Sequence, residues 1–139
     1  MTTRSILFLC TGNACRSQMA EGFARAILPS DWRVYSAGTI AAGVHPLTVE
    51  AMKEIGIDIS NQYSKTVEEI PIDEIECVIT LCGSARDRCP VFPRTVMREH
   101  WPIEDPIWAV GTDSAMDAFR KTRYEIKQRI NELIKRLTS

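Results

Sequence analysis

A cysteine, an arginine and a serine stand close together in the segment Cys10-Thr11-Gly12-Asn13-Ala14-Cys15-Arg16-Ser17 of this 139-residue chain. A loop of this length can turn successive backbone N–H groups inward, and a helix that follows adds the positive end of its dipole. Both features favour an oxyanion, and the Arg16 guanidinium adds a planar fork that matches a tetrahedral one. The predicted oxyanion-binding residues are Thr11, Gly12, Asn13, Ala14, Cys15, Arg16 and Ser17.

Cys10 is the candidate nucleophile of this loop. The amide dipoles and Arg16 would stabilise its thiolate, which is the reactive form of cysteine, and Ser17 could donate a hydrogen bond to it. Gly12 and Asn13 are residue types that tolerate the left-handed backbone conformations of a tight loop. The alternative is a buried cysteine before a helix whose arginine faces solvent. The apolar run before the loop and the helical pattern after it favour the functional interpretation.

Two further cysteines, Cys82 and Cys89, are separated by six residues that begin with Gly83. Zinc ligand pairs are normally closer in sequence and need two further ligands, which the two scattered histidines do not supply, so we predict no metal site. On a helix the two sulfurs would lie about 10 Å apart, too far for a disulfide unless the segment rearranges. Two unrelated thiols are the alternative.

Structural roles are expected for the remaining cysteines and for both histidines. Cys77 lies in an apolar run and is predicted to pack in the core. Cys15 lacks a strand-end position and is predicted to be accessory. His45 is expected to precede or cap a helix, and His100 is expected to line the rim of the site together with Trp101.

Strand-like and helical patterns alternate along the chain. Short apolar runs, typical of strands buried on both faces, predict four strands at 6–9, 33–37, 77–81 and 96–99. A helical pattern follows the first strand up to Pro29, and a second begins at Pro46 and stops at Gly56. A long final helix carries an apolar face made of Met116, Phe119, Ile126, Ile130, Leu133, Ile134 and Leu137. This alternation predicts an α/β fold, with a four-stranded parallel sheet flanked by helices on both faces.

Ligands of such sheets bind beyond the carboxyl ends of the strands, where loops lead into helices. This rule points to three segments of the chain. They are Cys10 to Arg16, Cys82 to Cys89 and His100 to Trp108.

Size and charge narrow the choice of partners. A chain of 139 residues is expected to form one domain, 1–139. It has 17 Lys and Arg against 18 Asp and Glu, without a block of like charges, so we expect neither nucleic acid nor a membrane surface as partner.

The early apolar run is too short for a signal segment or a spanning helix, which predicts a cytoplasmic protein. Five cysteines in that compartment suggest transient catalytic disulfides, and no coiled-coil seam suggests more than a monomer.

Several segments together resemble the thioredoxin-coupled arsenate reductases, a family that shares its fold with the low-molecular-weight tyrosine phosphatases. The resemblance begins with the C-x5-R-S pattern at Cys10 and extends over most of the chain. The matching segments are CTGNACRSQMAEG at 10–22, VYSAG at 34–38, AMKEIGIDISN at 51–61, TLC at 80–82 and EHWPIEDP at 99–106.

The resemblance implies a relay of three cysteines acting on arsenate. Cys10 would attack arsenate while Asp105 protonates the departing oxygen, although Asp before Pro is also an ordinary turn starter and Glu104 is a neighbouring competitor. Cys82 would then form a Cys10–Cys82 disulfide and release arsenite, and Cys89 would move the disulfide to Cys82–Cys89. Reduced thioredoxin would supply the electrons, so no cofactor is expected; glutaredoxin is the alternative reductant.

Some members of this family hold a potassium ion near the loop through Asn, Glu, Ser and Asp side chains. Asn13, Glu21 and Ser36 match three of these, but Lys65 stands at the position of the Asp. We therefore predict that Lys65 disfavours a potassium site and that its ammonium group takes the place of the ion.

Two other functions share part of this pattern. A tyrosine or small-molecule phosphatase would use Cys10, Arg16 and Asp105 but would leave Cys82 and Cys89 without a task, and weak phosphatase side activity is expected because phosphate resembles arsenate. A non-enzymatic redox sensor that binds oxyanions is the second alternative. An assay for turnover separates the sensor from both enzymes.

Overall fold

The computed structural model describes residues 4–83, 92 and 96–138. Cys89 lies outside these residues, and so does the predicted pairing of Cys89 with Cys82.

Four parallel strands form the sheet, and they confirm the predicted fold class. The strands are β1 (Arg4–Cys10), β2 (Trp32–Gly38), β3 (Cys77–Thr80) and β4 (Met97–His100). Their spatial order is β2-β1-β3-β4, so β1 lies in the middle and pairs with β2 on one side and β3 on the other. After its first residue β1 is buried on both faces, which explains its continuous apolar sequence.

Three α-helices occur in the described residues, and their apolar sides cover one face of the sheet. They are α1 (Arg16–Ile27), α2 (Pro46–Lys53) and α3 (Ala115–Thr138). The core of this face comprises Ile6 and Phe8 of β1 together with side chains from all three helices, including Phe23, Met52 and Phe119.

The other face of the sheet packs against shorter elements. Leu7 and Leu9 of β1 contact a second apolar cluster that contains Ile75 and Phe92. Two 3-10 helices, Val67–Glu69 and Ile72–Glu74, lead into this cluster. A third, Pro106–Ala109, follows β4 on the way to α3. None of the three was predicted, because helices this short do not show a helical period in the sequence.

Two local predictions differ from the structure. Trp101 does not line the rim: it is only 1% exposed, its ring lies 6.1 Å from that of Phe8, and its indole N–H donates to Glu99 Oε1 at 3.0 Å. The second helix ends at Lys53, before Gly56, which has a left-handed φ of 80° in the turn that follows. No helix within the described ranges is long and apolar enough to span a membrane.

Candidate active site

Backbone carbonyl groups of the loop after β1 are hydrogen-bonded to the segment 39–45. The carbonyls of Thr11, Gly12 and Ala14 accept hydrogen bonds from the backbone N–H groups of the segment 39–45, at 3.0, 2.9 and 3.1 Å. In a trans peptide the N–H group points away from the carbonyl, so the N–H groups of these three peptides face away from that segment. This arrangement suits a loop that presents donors to an oxyanion.

Gly12 and Asn13, both expected to allow a left-handed backbone in the loop, have different backbone conformations. Asn13 has a φ of 50° and therefore adopts the left-handed conformation. The same expectation for Gly12 is wrong, because Gly12 is not among the residues with positive φ. Its missing side chain serves close packing instead, since a Cβ atom there would lie 3.2 Å from the Cβ of Ala42.

Cys10 is buried at the carboxyl end of β1 and has a hydroxyl group beside its sulfur. The distance from Cys10 Sγ to Ser17 Oγ is 2.8 Å, as predicted. Ser17 Oγ also accepts a hydrogen bond from Asn13 Nδ2 at 2.7 Å, which leaves the Ser17 hydroxyl proton for the sulfur. A hydrogen bond donated to a thiolate stabilises that form.

Arg16 begins α1 and is held by the ends of two other segments. Its Nη1 donates to the carbonyls of Leu81 and Ile103 at 3.3 and 3.0 Å, and its Nη2 pairs with Asp105 Oδ2 at 3.2 Å. Within the described residues, Arg16 Nε is a buried donor that has no hydrogen-bond partner in the protein. A buried donor on a cation at the mouth of the loop is suited to an oxyanion oxygen.

Of the two candidate acids, only Asp105 contacts the loop arginine in the structure. Asp105 precedes the 3-10 helix Pro106–Ala109 and accepts a hydrogen bond from Ile107 N at 3.0 Å through Oδ1, while its Oδ2 pairs with Arg16. Glu104 instead lines a cleft against α3. Geometry therefore favours Asp105 over Glu104.

Cys82 follows β3, the strand beside β1, and its sulfur lies 3.1 Å from Thr11 Oγ1. The contact links the second thiol to the residue directly after Cys10. Sequence reasoning assigned Thr11 only to oxyanion binding and missed this contact. Neighbouring parallel strands have their carboxyl ends at the same edge of the sheet. The contact could therefore have been predicted from a hydroxyl residue directly after one strand and a cysteine directly after the next.

The other two described cysteines have environments that disfavour thiolates. Burial raises the pKa of Cys15 to about 12, against the smaller effect of a hydrogen bond with Thr48. Cys77 is buried in β3, as predicted, and burial raises its pKa as well. Neither thiol is therefore suited to nucleophilic attack near neutral pH.

The residues compared with a potassium site lie together behind the loop. Lys65 Nζ is 3.5 Å from Glu21 Oε1 and 3.4 Å from Ser36 Oγ, and Ser36 Oγ accepts from Asn13 Nδ2 at 3.0 Å. In the described part of the chain, no three His, Cys, Asp or Glu side chains are grouped to hold a metal. His45 caps α2 as predicted, since its Nδ1 accepts from Leu47 N at 3.1 Å.

Comparison with known proteins assigns the class. The low molecular weight phosphotyrosine protein phosphatase family matches residues 5–139. The chain is 50% identical to an arsenate reductase of Bacillus subtilis (strain 168), over 95% of this chain and 96% of that protein. A solved arsenate reductase in the phosphate binding state has a TM-score of 0.79 and 36% identity, with coverage of 96% of this chain and 98% of that one. The thioredoxin-dependent arsenate reductase of Corynebacterium glutamicum has a TM-score of 0.77 and 33% identity, covering 98% of this chain and 63% of that one.

Because the match extends over residues 5–139, the chain belongs to the low molecular weight phosphotyrosine protein phosphatase family. Within that family it belongs to the arsenate reductase branch.

Proposed function

We propose that the enzyme reduces arsenate to arsenite by a relay of Cys10, Cys82 and Cys89, with reduced thioredoxin as electron donor. The observation that carries the proposal is the contact of Cys82 Sγ with Thr11 Oγ1, because a second thiol then lies beside the loop that follows Cys10. Hydrolysis of a phosphate ester has no use for such a thiol, whereas reduction by thiols requires it.

In the first step the Cys10 thiolate attacks the arsenic atom of arsenate. The loop N–H groups and Arg16 bind the oxygens, with Arg16 Nε as an available donor. Asp105 gives a proton to the departing oxygen, which leaves as water. The product is a Cys10 thioester of arsenate, still in the +5 oxidation state.

In the second step Cys82 attacks the sulfur of Cys10. A disulfide forms between them, the sulfur–arsenic bond breaks, and its electron pair stays with arsenic, which leaves as arsenite. A hydrogen bond from Thr11 to the Cys82 sulfur would stabilise the attacking thiolate. Two thiols have then been oxidised and one arsenic atom reduced.

In the third step Cys89 attacks Cys82 and releases the Cys10 thiolate, so the disulfide moves to Cys82–Cys89. Thioredoxin reduces that disulfide and restores the enzyme, which needs no further cofactor. The Corynebacterium relative, which is named as thioredoxin-dependent, supports this choice of reductant. We place the reaction in the cytoplasm, where thioredoxin keeps thiols reduced, and expect a monomer.

The decisive assay follows NADPH consumption in a mixture of enzyme, arsenate, thioredoxin and thioredoxin reductase. Sustained consumption that depends on arsenate is expected, and Cys82→Ser should eliminate it. Cys77→Ser is the matched control, because that thiol belongs to the core and has no place in the relay. No consumption by the wild type, together with brisk hydrolysis of an aryl phosphate, would contradict the proposal.

Weak phosphatase activity is the second candidate function. The Cys10, Arg16 and Asp105 arrangement supports it because the first step needs the same groups for either oxyanion. We expect slow hydrolysis of an aryl phosphate that Cys10→Ser abolishes and Cys82→Ser preserves.

A further inference from the structure

A set of buried polar side chains connects the centre of the protein to the Cys10 sulfur. Its members follow one another by hydrogen bonds, and we call them the hydrogen-bond chain: Glu21, Ser36, Asn13, Ser17 and Cys10. All five are at most 3% exposed. Lys65 lies beside the first two members and is itself only 7% exposed. The relay has no use for this buried lysine, which therefore requires an explanation.

The donors and acceptors of this chain are fixed at the Asn13 amide. Asn13 Oδ1 accepts from Lys65 N at 2.9 Å and from Gln18 Nε2 at 2.8 Å. Its Nδ2 group must therefore be the donor to Ser36 Oγ and Ser17 Oγ, at 3.0 and 2.7 Å. With Ser17 Oγ acting as acceptor, its own proton is directed to Cys10 Sγ.

At Ser36 the direction depends on charge. The Ser36 hydroxyl donates to Glu21 Oε1 at 2.5 Å, and a carboxylate can only accept. Lys65 Nζ lies 3.4 Å from the same hydroxyl oxygen and can only donate. The carboxylate draws the Ser36 proton toward Glu21, and the ammonium group is a second donor, beside Asn13 Nδ2, that holds the Ser36 oxygen as an acceptor.

Lys65 is enclosed by partners on several sides. Besides Glu21 and Ser36, its Nζ donates to the carbonyl of Tyr63 at 3.1 Å and lies 4.7 Å from the centre of the Tyr63 ring. Arg25 pairs with the other oxygen of Glu21 at 2.8 Å but is about half exposed. Lys65 is thus the cation on the side of Glu21 that holds Ser36.

We propose that Lys65 is a positioning residue for Cys10. Its ammonium group holds Glu21 and Ser36 in place at one end of the hydrogen-bond chain, and the chain in turn holds the Ser17 hydroxyl where it donates its proton to the Cys10 sulfur. The inference rests on the proposed function only in taking Cys10 as the nucleophile. Without this cation, Glu21 keeps the half-exposed Arg25 as its ion-pair partner and Ser36 loses a donor. The position of Ser36 beside Asn13, and through it that of Ser17, is then less firmly held.

The reaction of Cys10 with iodoacetamide tests this directly, because only the thiolate reacts. The rate at Cys10 is measured against pH by peptide mass spectrometry in the wild type and in Lys65→Met, which keeps the length of the side chain but removes the charge. The midpoint of the pH profile is expected to rise by about one pH unit in Lys65→Met. Lys65→Arg, which keeps the positive charge, should leave the midpoint close to that of the wild type. Lys53→Met, which removes an exposed lysine from α2, should leave the profile unchanged.

The groups that interact electrostatically around the loop, Cys15, Arg16 and Asp105, are unchanged in all these variants. Loss of stability alone would lower the melting temperature without moving the profile. A folded Lys65→Met protein with the profile of the wild type would overturn the proposal.

Ser36→Ala provides a second test that leaves the Lys65–Glu21 pair in place, and it decides the matter should Lys65→Met not fold. It should move the Cys10 profile in the same direction, and an unmoved profile would overturn the proposal. Because Lys65 acts through Ser36, the double variant should shift the profile no further than Ser36→Ala alone. Additive shifts would mean that Lys65 acts on Cys10 by another route.

Alkylation needs neither arsenate nor thioredoxin, so the two proposals fail separately. If the wild type does not consume NADPH but Lys65→Met moves the profile, the relay is wrong and the role of Lys65 stands. If the relay operates and the profile does not move, the role of Lys65 is wrong.

Discussion

Cys10 and Cys82, the two described thiols of the proposed relay, each have a hydroxyl group beside the sulfur. Ser17 is 2.8 Å from the Cys10 sulfur, and Thr11 is 3.1 Å from the Cys82 sulfur. In the proposed relay the two thiols act at different steps, the first on arsenic and the second on sulfur. Removing one hydroxyl or the other should therefore slow different steps.

Replacing Thr11 by Val tests the hydroxyl beside Cys82. We expect the turnover number to fall about tenfold, since the loss of a hydrogen bond to a developing thiolate costs roughly 1.5 kcal/mol. The rate at which iodoacetamide alkylates Cys10 should stay near that of the wild type. Ser17→Ala is the comparison, and it should slow that alkylation. If Thr11→Val slowed the alkylation of Cys10 as strongly as Ser17→Ala does, the two hydroxyl groups would not have separate roles.

Cys89→Ser tests the last step of the relay. The first two steps need only Cys10 and Cys82, so about one arsenite per enzyme molecule should form before the reaction stalls as a Cys10–Cys82 disulfide. Quantifying arsenite in a single-turnover experiment measures this, and mass spectrometry identifies the disulfide. Repeated turnover by Cys89→Ser with thioredoxin would rule out the relay.

Lys65 also leads to a prediction about potassium. Its ammonium group contacts Glu21 and Ser36, two of the side chains that would hold the ion. Replacing sodium by potassium in the assay at constant ionic strength should therefore leave the turnover rate unchanged. Strong activation by potassium would refute the prediction.

At the scale of elements, the strands were the most predictable part of the fold. A strand buried on both faces is apolar at nearly every position, and β1 and β3 show this pattern plainly. The bounds of the strands differed from the predicted ones by a residue or two, because hydrogen bonding and not hydropathy determines where a strand ends. The prediction of Trp101 at the rim failed because an aromatic side chain beyond a strand can turn either outward or into the core.

The loop after β1 was predictable because its candidate functional residues are close together in the sequence. Cys10, Arg16 and Ser17 lie within one short segment, and their proximity follows from local structure. Contacts that join distant segments, such as Thr11 with Cys82, depend on strand order, which hydropathy does not reveal. Lys65 was singled out by its position in the resemblance, but its link to Cys10 through Ser36 needed atomic positions.

The ion pairs between α2 and α3 have a pH dependence with a definite sign. Hydrogen bonds from Arg120 and Arg123 lower the pKa of Glu54 from 4.5 to about 2. A carboxyl group with a lowered pKa stabilises the folded state above its unfolded value, and this stabilisation is lost as the pH falls from about 4.5 toward 2. Glu54→Gln should therefore lower the melting temperature at pH 7 by a small amount, because the pairs are exposed.

Thermal melts across pH measure this effect. The difference between the wild type and Glu54→Gln should shrink below pH 4.5 and vanish near pH 2. Glu50→Gln, within α2, is the control and should show no such convergence. A gap that stays constant down to pH 2 would show that the ion pairs are not its cause.

At the scale of the whole molecule, the site joins the first strand to segments far along the chain, so ligand binding should stabilise the entire fold. We expect phosphate to bind the folded loop and not the unfolded chain. At about 100 times its dissociation constant it should then add roughly 2.7 kcal/mol, or a few degrees in melting temperature. Arg16→Lys should reduce this gain because lysine lacks the planar fork. Equal gains in both proteins would place the anion elsewhere.

Arg16 is held by acceptors that lie 65, 87 and 89 residues further along the chain. During translation, at roughly 5–20 residues per second, Cys10 therefore leaves the ribosome several seconds before Asp105 is even synthesised. Until then the nascent chain lacks the acceptors that hold Arg16 in the folded protein. The surroundings of Arg16 can therefore be completed only after synthesis has passed Asp105, and shorter products lack them.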